Sequence, residues 1–386
     1  MIMSNLWNSL LADKLPCGHS FSQHIQRQAG IDIGPCIEKP KIRLMCDSGA
    51  FSSYTLGKPV SVTEYSDFVL KNERYIDESI CLDVIAPGNP EKAAEAGMKN
   101  FLYMKDRGIN CLPVYHARES TKWVDKMLKL TDRIGLSGTS LVSPRENLIW
   151  HNMVFDYLTD KEGYPIGKFH SFGDVSTQRM ITYPFFSSDS STYMVAAGRA
   201  ACVRLNGKPY QLKSHSIRNS SYISLDDTGP KKKAWERECA ALGVYPDKVL
   251  SFEGTKSQVA MIRSYLVAAD ILRLQERTRN LNKYKKPASL FSKKENVKGF
   301  VREGPINFFY VLSPSAYCMN FPVLAALNIK NILVSYFYIN TASKNFWQEK
   351  MIPYLYDPIG FCQSDKKLKI FWDKLCEILV KEPVSV

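Results

Sequence analysis

The sequence predicts an α/β protein of the (β/α)₈ barrel class, and three observations carry that expectation. From about residue 42, short apolar runs alternate with longer amphipathic stretches, the pattern of strands joined by crossover helices. Most of the runs end in a polar, glycine or acidic cluster, and a parallel barrel gathers such ends on one face. The chain is 386 residues long, 45% hydrophobic and 23% charged, which suits one large domain with insertions and a buried core.

Strands are expected at Ile42–Cys46, Ser79–Val84, Asn110–Tyr115, Arg133–Ser137, Lys168–Phe172 and Tyr183–Ser187. Their ends are Asp47-Ser48-Gly49, Asp83, His116, Gly138-Thr139-Ser140, Gly173-Asp174 and Ser188-Asp189-Ser190-Ser191. Between them, Val62–Asn72, Pro90–Arg107, Thr121–Leu130 and Pro144–Thr159 read as helices, with Thr63 and Thr121 among the capping residues. No self-similar period appears, so a solenoid is not expected. After Asp189 the pattern loosens. Residues 203–257 read as an insertion with an exposed turn at Asp226–Lys233, and Gln258–Asn282 as a long helix with a basic end. Asn307–Leu312 and Asn331–Tyr338 are candidates for the closing strands. The expected organisation is a lead-in at 1–41, the main part of the barrel at 42–282, and at 283–386 a basic excursion with a C-terminal segment completing the barrel.

Lys plus Arg number 51 against 38 acidic residues, a formal charge of +13 that favours polyanionic partners, nucleic acid first among them. The ten cysteines lack CxxC pairs and read as reduced thiols packed in a core, pointing to the cytoplasm. No apolar run reaches membrane-span length and the N-terminus shows no basic-then-apolar signal, so a soluble protein without a membrane partner is expected.

Several strand ends suggest chemistry. Asp47 in Asp47-Ser48-Gly49-Ala50-Phe51 can project from a strand end while Gly49 lets backbone approach a ligand; read alone, the same residues make a turn capped by Asp47. Asp83 interrupts the apolar run Cys81-Leu82-Asp83-Val84-Ile85, where an unpaired carboxylate is costly. Its donors are either the paired N–H groups of a guanine-type edge or a structural partner such as arginine. His116 reads as a contact to a base or phosphate, or as a satisfied rim histidine. The end Gly135-Leu136-Ser137-Gly138-Thr139 offers backbone N–H groups to a ligand, unless its glycines serve only close strand-to-helix packing. In Ser187-Ser188-Asp189-Ser190-Ser191-Thr192-Tyr193, small hydroxyls frame an acid and can hold it ionised as a nucleophile, or the segment is a helix N-cap.

Taken in order over roughly residues 40–285, these pieces resemble the guanine transglycosylases that make queuosine and archaeosine in tRNA. They resemble more closely the phage and bacterial relatives that act on DNA. Asp47 matches the aspartate of the family's DSGGF-like motif, which implies general acid/base work. Asp83 falls at the base-recognising aspartate, and His116 where the tRNA enzymes often carry a glutamine at the base. Ser137 and Gly138 lie in a segment similar to the glycine-rich strand end whose amides bind the base, with Ser48 and Phe51 in the DSGAF stretch. His170-Ser171-Phe172-Gly173 is similar to the MGVG-like stretch that walls the pocket, so His170 and Gly173 join the expected base-binding set. Asp189 falls at the nucleophilic aspartate, and the stretch from Gly198-Arg199 to Gly207 looks like the segment after it.

The resemblance implies exchange of guanine in DNA for a free 7-deazaguanine base, the co-substrate, through a covalent aspartyl-sugar intermediate. Arg199, Arg273, Arg277, Arg279, Lys283, Lys285 and Lys286 are the expected phosphate contacts. The tRNA enzymes carry a CxCxxC-plus-histidine zinc site after the nucleophile. Here Cys239 is the one cysteine between 203 and 317 and His215 is the last histidine, so no zinc or other cofactor is expected. The alternatives are the same exchange on tRNA and a non-catalytic nucleic-acid-binding barrel subunit.

Overall fold

A computed structural model describes residues 42–381 except 58, 87, 139–141, 200–201, 213–222, 286–296, 313–315, 328–331 and 338–343. The expected lead-in at 1–41 therefore lies outside the described residues, as do Thr139, Ser140, His215 and Lys286.

The main sheet has nine strands, and every pairing in it is parallel. In chain order they are β1 (Ile42–Asp47), β2 (Glu78–Ile80), β3 (Cys111–Leu112), β4 (Val114–His116), β5 (Arg133–Ser137), β6 (Lys168–Ser171) and β7 (Ser187–Ser190). An antiparallel hairpin, β8 (Cys202–Leu205) with β9 (Lys208–Gln211), stands apart, and β10 (Asn307–Leu312) and β11 (Ile332–Phe337) return to the sheet. The order is β3-β2-β1-β11-β10-β7-β6-β5-β4, so the two late apolar runs lie between β7 and β1. The strands at the two ends of this order, β3 and β4, are separated in the chain by Pro113 alone, a residue with no N–H for a ladder bond.

The two faces of the strands differ. Ile42, Leu44 and Cys46 of β1, Ile134 and Leu136 of β5 and Phe169 of β6 join the large core against the helices. Met45, Ile80, Val114 and Phe309, with Phe172 beside them, form a second small apolar cluster on the other face. The period-2 alternation of strand side chains produces this split, and it leaves the polar residues Glu78, Arg133, His170 and Ser187 among the buried or half-buried groups.

The crossover helices are α1 (Ala50–Leu56), α2 (Val62–Lys71), α3 (Pro90–Asp106), α4 (Thr121–Leu128), α5 (Pro144–Tyr157), α6 (Thr177–Thr182) and α7 (Thr192–Arg199). Their start signals sit one or two residues earlier than expected: Ser61 and Ser120, not Thr63 and Thr121, cap α2 and α4 with their hydroxyls. Ser143 and Glu146 form a reciprocal capping box on α5. The run expected as a strand at Tyr183–Ser187 is displaced. Ser187 opens β7, and Tyr183 and Phe185 are instead buried against Phe155 of α5. Aromatic residues favour strands, but here their burial between helices decides the conformation.

The 203–257 region is more than an exposed insertion. It holds the β8–β9 hairpin, α8 (Pro230–Ala241) and α9 (Pro246–Leu250), with Tyr210, Trp235 and Cys239 buried among them. Lys232, within the basic run expected to be exposed, is buried and pairs with Asp247 at 2.6 Å. The long helix is α10 (Lys256–Arg277), capped by a Thr255–Gln258 box. After α11 (Tyr317–Ala326) the chain ends in short helical segments from Lys344 to Cys376, which return to the start of the domain: Trp347 Nε1 donates to Asn72 Oδ1 at 2.8 Å. No helix of the described residues is long and apolar enough to cross a membrane.

Gly135 shows how tightly the inner face is filled. A Cβ there would lie 2.3 Å from the Phe172 ring. Gly135→Ala should displace Phe172 and cost about 1–3 kcal/mol, the usual price of overpacking. Thermal denaturation should show a Tm lower by several degrees; an unchanged Tm would place the ring elsewhere.

Candidate active site

In a parallel sheet the carboxyl ends of all strands share one edge, where crossover loops leave room for a ligand. At this edge Asp47 closes β1, Asp83 lies three residues past β2, and Asp189 sits in β7. All three line one cleft of about 320 Å³, together with Phe51, Ile85, Ser137, Phe172, Gly173, Ser191 and Val311. Phe51 is 47% exposed and stands at the rim. The Tyr65 hydroxyl, from α2, lies within hydrogen-bond distance of the Cys46 and Ile80 carbonyls, 3.0 and 2.9 Å, and ties the ends of β1 and β2 beneath the two acids.

Each carboxylate has a different donor. Asp47 Oδ1 accepts from the Gly49 amide at 2.8 Å, in a turn where Gly49 has φ 72°, a conformation that favours glycine. Burial raises the Asp47 carboxyl to about 7; the Gly49 amide opposes the shift and the charges of Asp189 and Asp83 add to it. Asp189 Oδ1 accepts from the amide of Gly173 at 2.7 Å, and Gly173 too is left-handed, φ 66°. Asp83 Oδ2 is 2.8 Å from His116 Nε2, while His116 Nδ1 is 2.9 Å from Glu119 Oε1 and its backbone N–H donates to Glu119 Oε2 at 3.1 Å. Burial lowers the affinity of His116 for its proton, but the hydrogen bonds and charges of Asp83 and Glu119 prevail and raise it to about 10. An imidazolium between two carboxylates is the result.

Several expected site residues sit elsewhere. His116 does not line the cleft; it is buried behind Asp83, facing a small adjoining cavity with Val84, Ile85 and Glu119. The protein's own donor to Asp83 is therefore a histidine rather than an arginine, and it takes Oδ2, while Asp83 also lines the cleft. His170 is fully buried beneath the cleft, its ring against Phe172 at 4.6 Å, because its position on β6 points inward one layer below the edge. Ser48 is buried with its hydroxyl toward the Ala50 amide, 3.4 Å. Gly138 does not line the cleft; a Cβ there would meet Asn147 Oδ1 at 2.7 Å and Trp150 at 2.8 Å, so close packing accounts for it. The Gly135 amide is likewise spent on the Pro113 carbonyl, 2.8 Å. Glu119, three residues past β4, was missed; its spacing from His116 is the signal that would have marked it.

The basic segment lies at the other end of the sheet. Tyr284 donates its amide to Gly163 O, just before β6, and Arg302 donates to Phe185 O, just before β7. Most of its cations are engaged: Arg273 with Glu238 and Asp270, Arg277 with Asn206, Arg279 with Glu276, and Lys283 with Glu162. Arg273, Arg277, Arg279, Lys283 and Lys285 thus follow the C-terminus of α10 to the amino ends of the strands, away from the cleft, because a helix preceding a parallel strand must end where that strand begins. The Arg199 side chain lies outside the described residues. Among the described residues no group of three His, Cys, Asp or Glu side chains is arranged to hold a metal ion.

No protein-family model, curated protein or solved structure matches the chain.

The raised Asp47 carboxyl sets a stability test. Its folded value, about 7, exceeds the ordinary 3.8, so the folded protein holds this proton more tightly. The associated stability is fully present below about pH 4 and is lost as pH rises through about 7. Asp47→Asn keeps an acceptor for Gly49 and removes the titration. Its stability relative to wild type should therefore grow between pH 4 and 7, by up to a few kcal/mol, and level off above. Denaturant unfolding at pH 5 and pH 8 checks this; an equal difference at both pH values would contradict the shift.

Proposed function

We propose that the chain is a (β/α)₈ barrel enzyme that exchanges guanine in DNA for a 7-deazaguanine base. Barrel closure is inferred from β3 and β4: they act as one strand interrupted by Pro113, bonded to β2 on one side and to β5 on the other. The observation that carries the functional reading is the convergence of Asp47, Asp83 and Asp189 in one aromatic-rimmed cleft at the carboxyl ends of the strands.

In this reading the target nucleotide leaves the stack and enters the cleft between Phe51 and Phe172, at a cost of a few kcal/mol. Asp189 attacks C1′ as the C1′–N9 bond breaks, and the departing guanine takes the electron pair. A carboxyl titrating near 7 can serve both halves of the reaction. Protonated Asp47 supplies the proton to the leaving base; ionised Asp47 then takes the N9 proton of the incoming base, whose nitrogen displaces Asp189 and restores the configuration, as in retaining glycosidases. Asp83 accepts from the base's N–H edge, held as an acceptor by the His116 imidazolium. Arg118 and Arg145, exposed in the loop after β4 and at the start of α5, are the phosphate contacts in this reading, Arg118 exchanging its exposed pair with Glu146 (3.2 Å) for a phosphate.

Nucleoside mass spectrometry of DNA and tRNA incubated with the protein and candidate 7-deazaguanines is the direct test. Incorporation into DNA alone is expected, while modified tRNA with unmodified DNA would transfer the reading to the tRNA reaction. Asp189→Asn should abolish the covalent adduct on denaturing gels, and Asp47→Asn should slow turnover by about 10²–10⁴-fold with adduct still formed.

The shared proton carrier also predicts opposite pH dependence for the two half-reactions. Single-turnover adduct formation should fall as pH rises through about 7, and resolution of a preformed adduct by added base should rise over the same range. Two parallel profiles would remove Asp47 from one of the steps.

A further inference from the structure

A column of polar side chains runs through the inner face of the sheet beneath Asp189, and the reaction as described does not use it. At its foot, Arg133 of β5 pairs with Glu78 of β2 at 2.8 Å. Arg133 Nη2 also donates to the hydroxyl of Ser187, the first residue of β7, at 3.3 Å. The Ser187 Oγ is 2.9 Å from His170 Nδ1. The other ring nitrogen, Nε2, is buried without a hydrogen bond and stands 3.5 Å from Asp189 Oδ1. Glu78, Ser187, His170 and Asp189 are all buried, and Arg133 is half-buried.

One assignment gives every proton of the column an acceptor. Arginine only donates, so Ser187 accepts from it and keeps a single proton to give. Among its described contacts the acceptor for that proton is His170 Nδ1. A ring that accepts at Nδ1 carries its own hydrogen on Nε2, which faces the carboxylate. The Glu78 charge holds Arg133 in place, and Phe172 and Phe309 flank the ring at 4.6 and 6.1 Å, limiting its rotation.

We infer that His170 is a positioning residue for Asp189: its Nε2–H, oriented by Ser187 and Arg133, holds Oδ1 together with the Gly173 amide and leaves Oδ2 as the atom that attacks. Among the described residues Oδ2 has no hydrogen-bond partner, and Asp189 borders the cleft. With Oδ1 held by the Gly173 amide at 2.7 Å and faced by Nε2 at 3.5 Å, exchange of the two oxygens is opposed from two sides. The Oδ2 lone pair stays aligned on C1′ while the sugar–base bond breaks and the base departs with the electron pair and a proton. The 3.5 Å contact is longer than a formed hydrogen bond, and the hydrogen bonds of catalytic groups commonly tighten in the complex with substrate, while the carboxylate still carries its full charge. This inference rests on Asp189 being the nucleophile.

Two measurements separate the inference from that reading. The first needs no activity. ¹⁵N-imidazole NMR of the whole protein should show His170 as the Nε2–H tautomer, its Nε2 resonance moving on Asp189→Asn and its Nδ1 resonance moving on Ser187→Ala. An Nδ1–H tautomer, or an Nε2 signal indifferent to Asp189→Asn, would overturn the inference even if exchange is observed. The second is kinetic. His170→Phe keeps the ring shape and removes the donor; kcat for base exchange should fall about 10- to 100-fold, the usual scale for groups that orient a functional ligand, with the KM for the base unchanged within about twofold. His170→Gln, whose amide nitrogen reaches the Nε2 position, should recover most of that loss. A His170→Phe variant with the Tm of wild type and an unchanged kcat would also overturn the inference, as would equal losses in the Phe and Gln variants. Absence of exchange by the wild type, with the Nε2–H tautomer coupled to Asp189 as expected, would instead overturn the transglycosylase reading and leave His170 as the donor that orients this carboxylate.

Discussion

Placing carboxylates side by side at the carboxyl edge of a sheet costs free energy through desolvation and again through mutual repulsion, and the construction of this edge follows from how each cost is offset. Asp189 is met by the Gly173 amide, Asp83 by an imidazolium that Glu119 backs, and Asp47 by the Gly49 amide alone. Burial, with the charges of Asp189 and Asp83 added to it, raises the Asp47 carboxyl to about 7 against the pull of its single amide. Three similar side chains thus stand in three different settings at one edge. Both glycines that supply amides hold left-handed backbone, a shape that turns an N–H back toward a neighbouring acid.

Much of this was legible in the sequence. Parallel alternation, the late strands and the three acids at strand ends follow from apolar periodicity and its interruptions. Two kinds of feature were not. Partners that meet across strands, such as His116 with Asp83 or His170 with Ser187, depend on register, and register is set by pairing between segments distant in the chain. The side of the sheet on which a loop falls was the second. The basic residues after α10 looked like phosphate contacts from their charge, yet the direction of α10 relative to β10 carries them to the amino ends of the strands. Charge is a property of composition; its placement is a property of topology.

Tertiary packing also displaced local preference. Tyr183 and Phe185 have strand-forming side chains, but both are buried against Phe155, and β7 starts at Ser187 instead. The same economy governs Gly135 and Gly138, whose missing side chains make room for Phe172 and Trp150. Glycines whose sequence context invites a ligand are here spaces already filled by the protein.

The position of β11 between β1 and β10 has a consequence for how the chain acquires its structure. β1 begins at Ile42, and its neighbour begins at Ile332, so the sheet joins the beginning of the described chain to a segment nearly 300 residues later. During synthesis β1 emerges early and waits with one edge unpaired until Ile332–Phe337 has left the ribosome. Such an edge is a template for pairing with other chains, and long-range parallel pairing forms slowly. Tyr65, which binds the ends of β1 and β2 locally, gives the early segment a structure of its own during that interval.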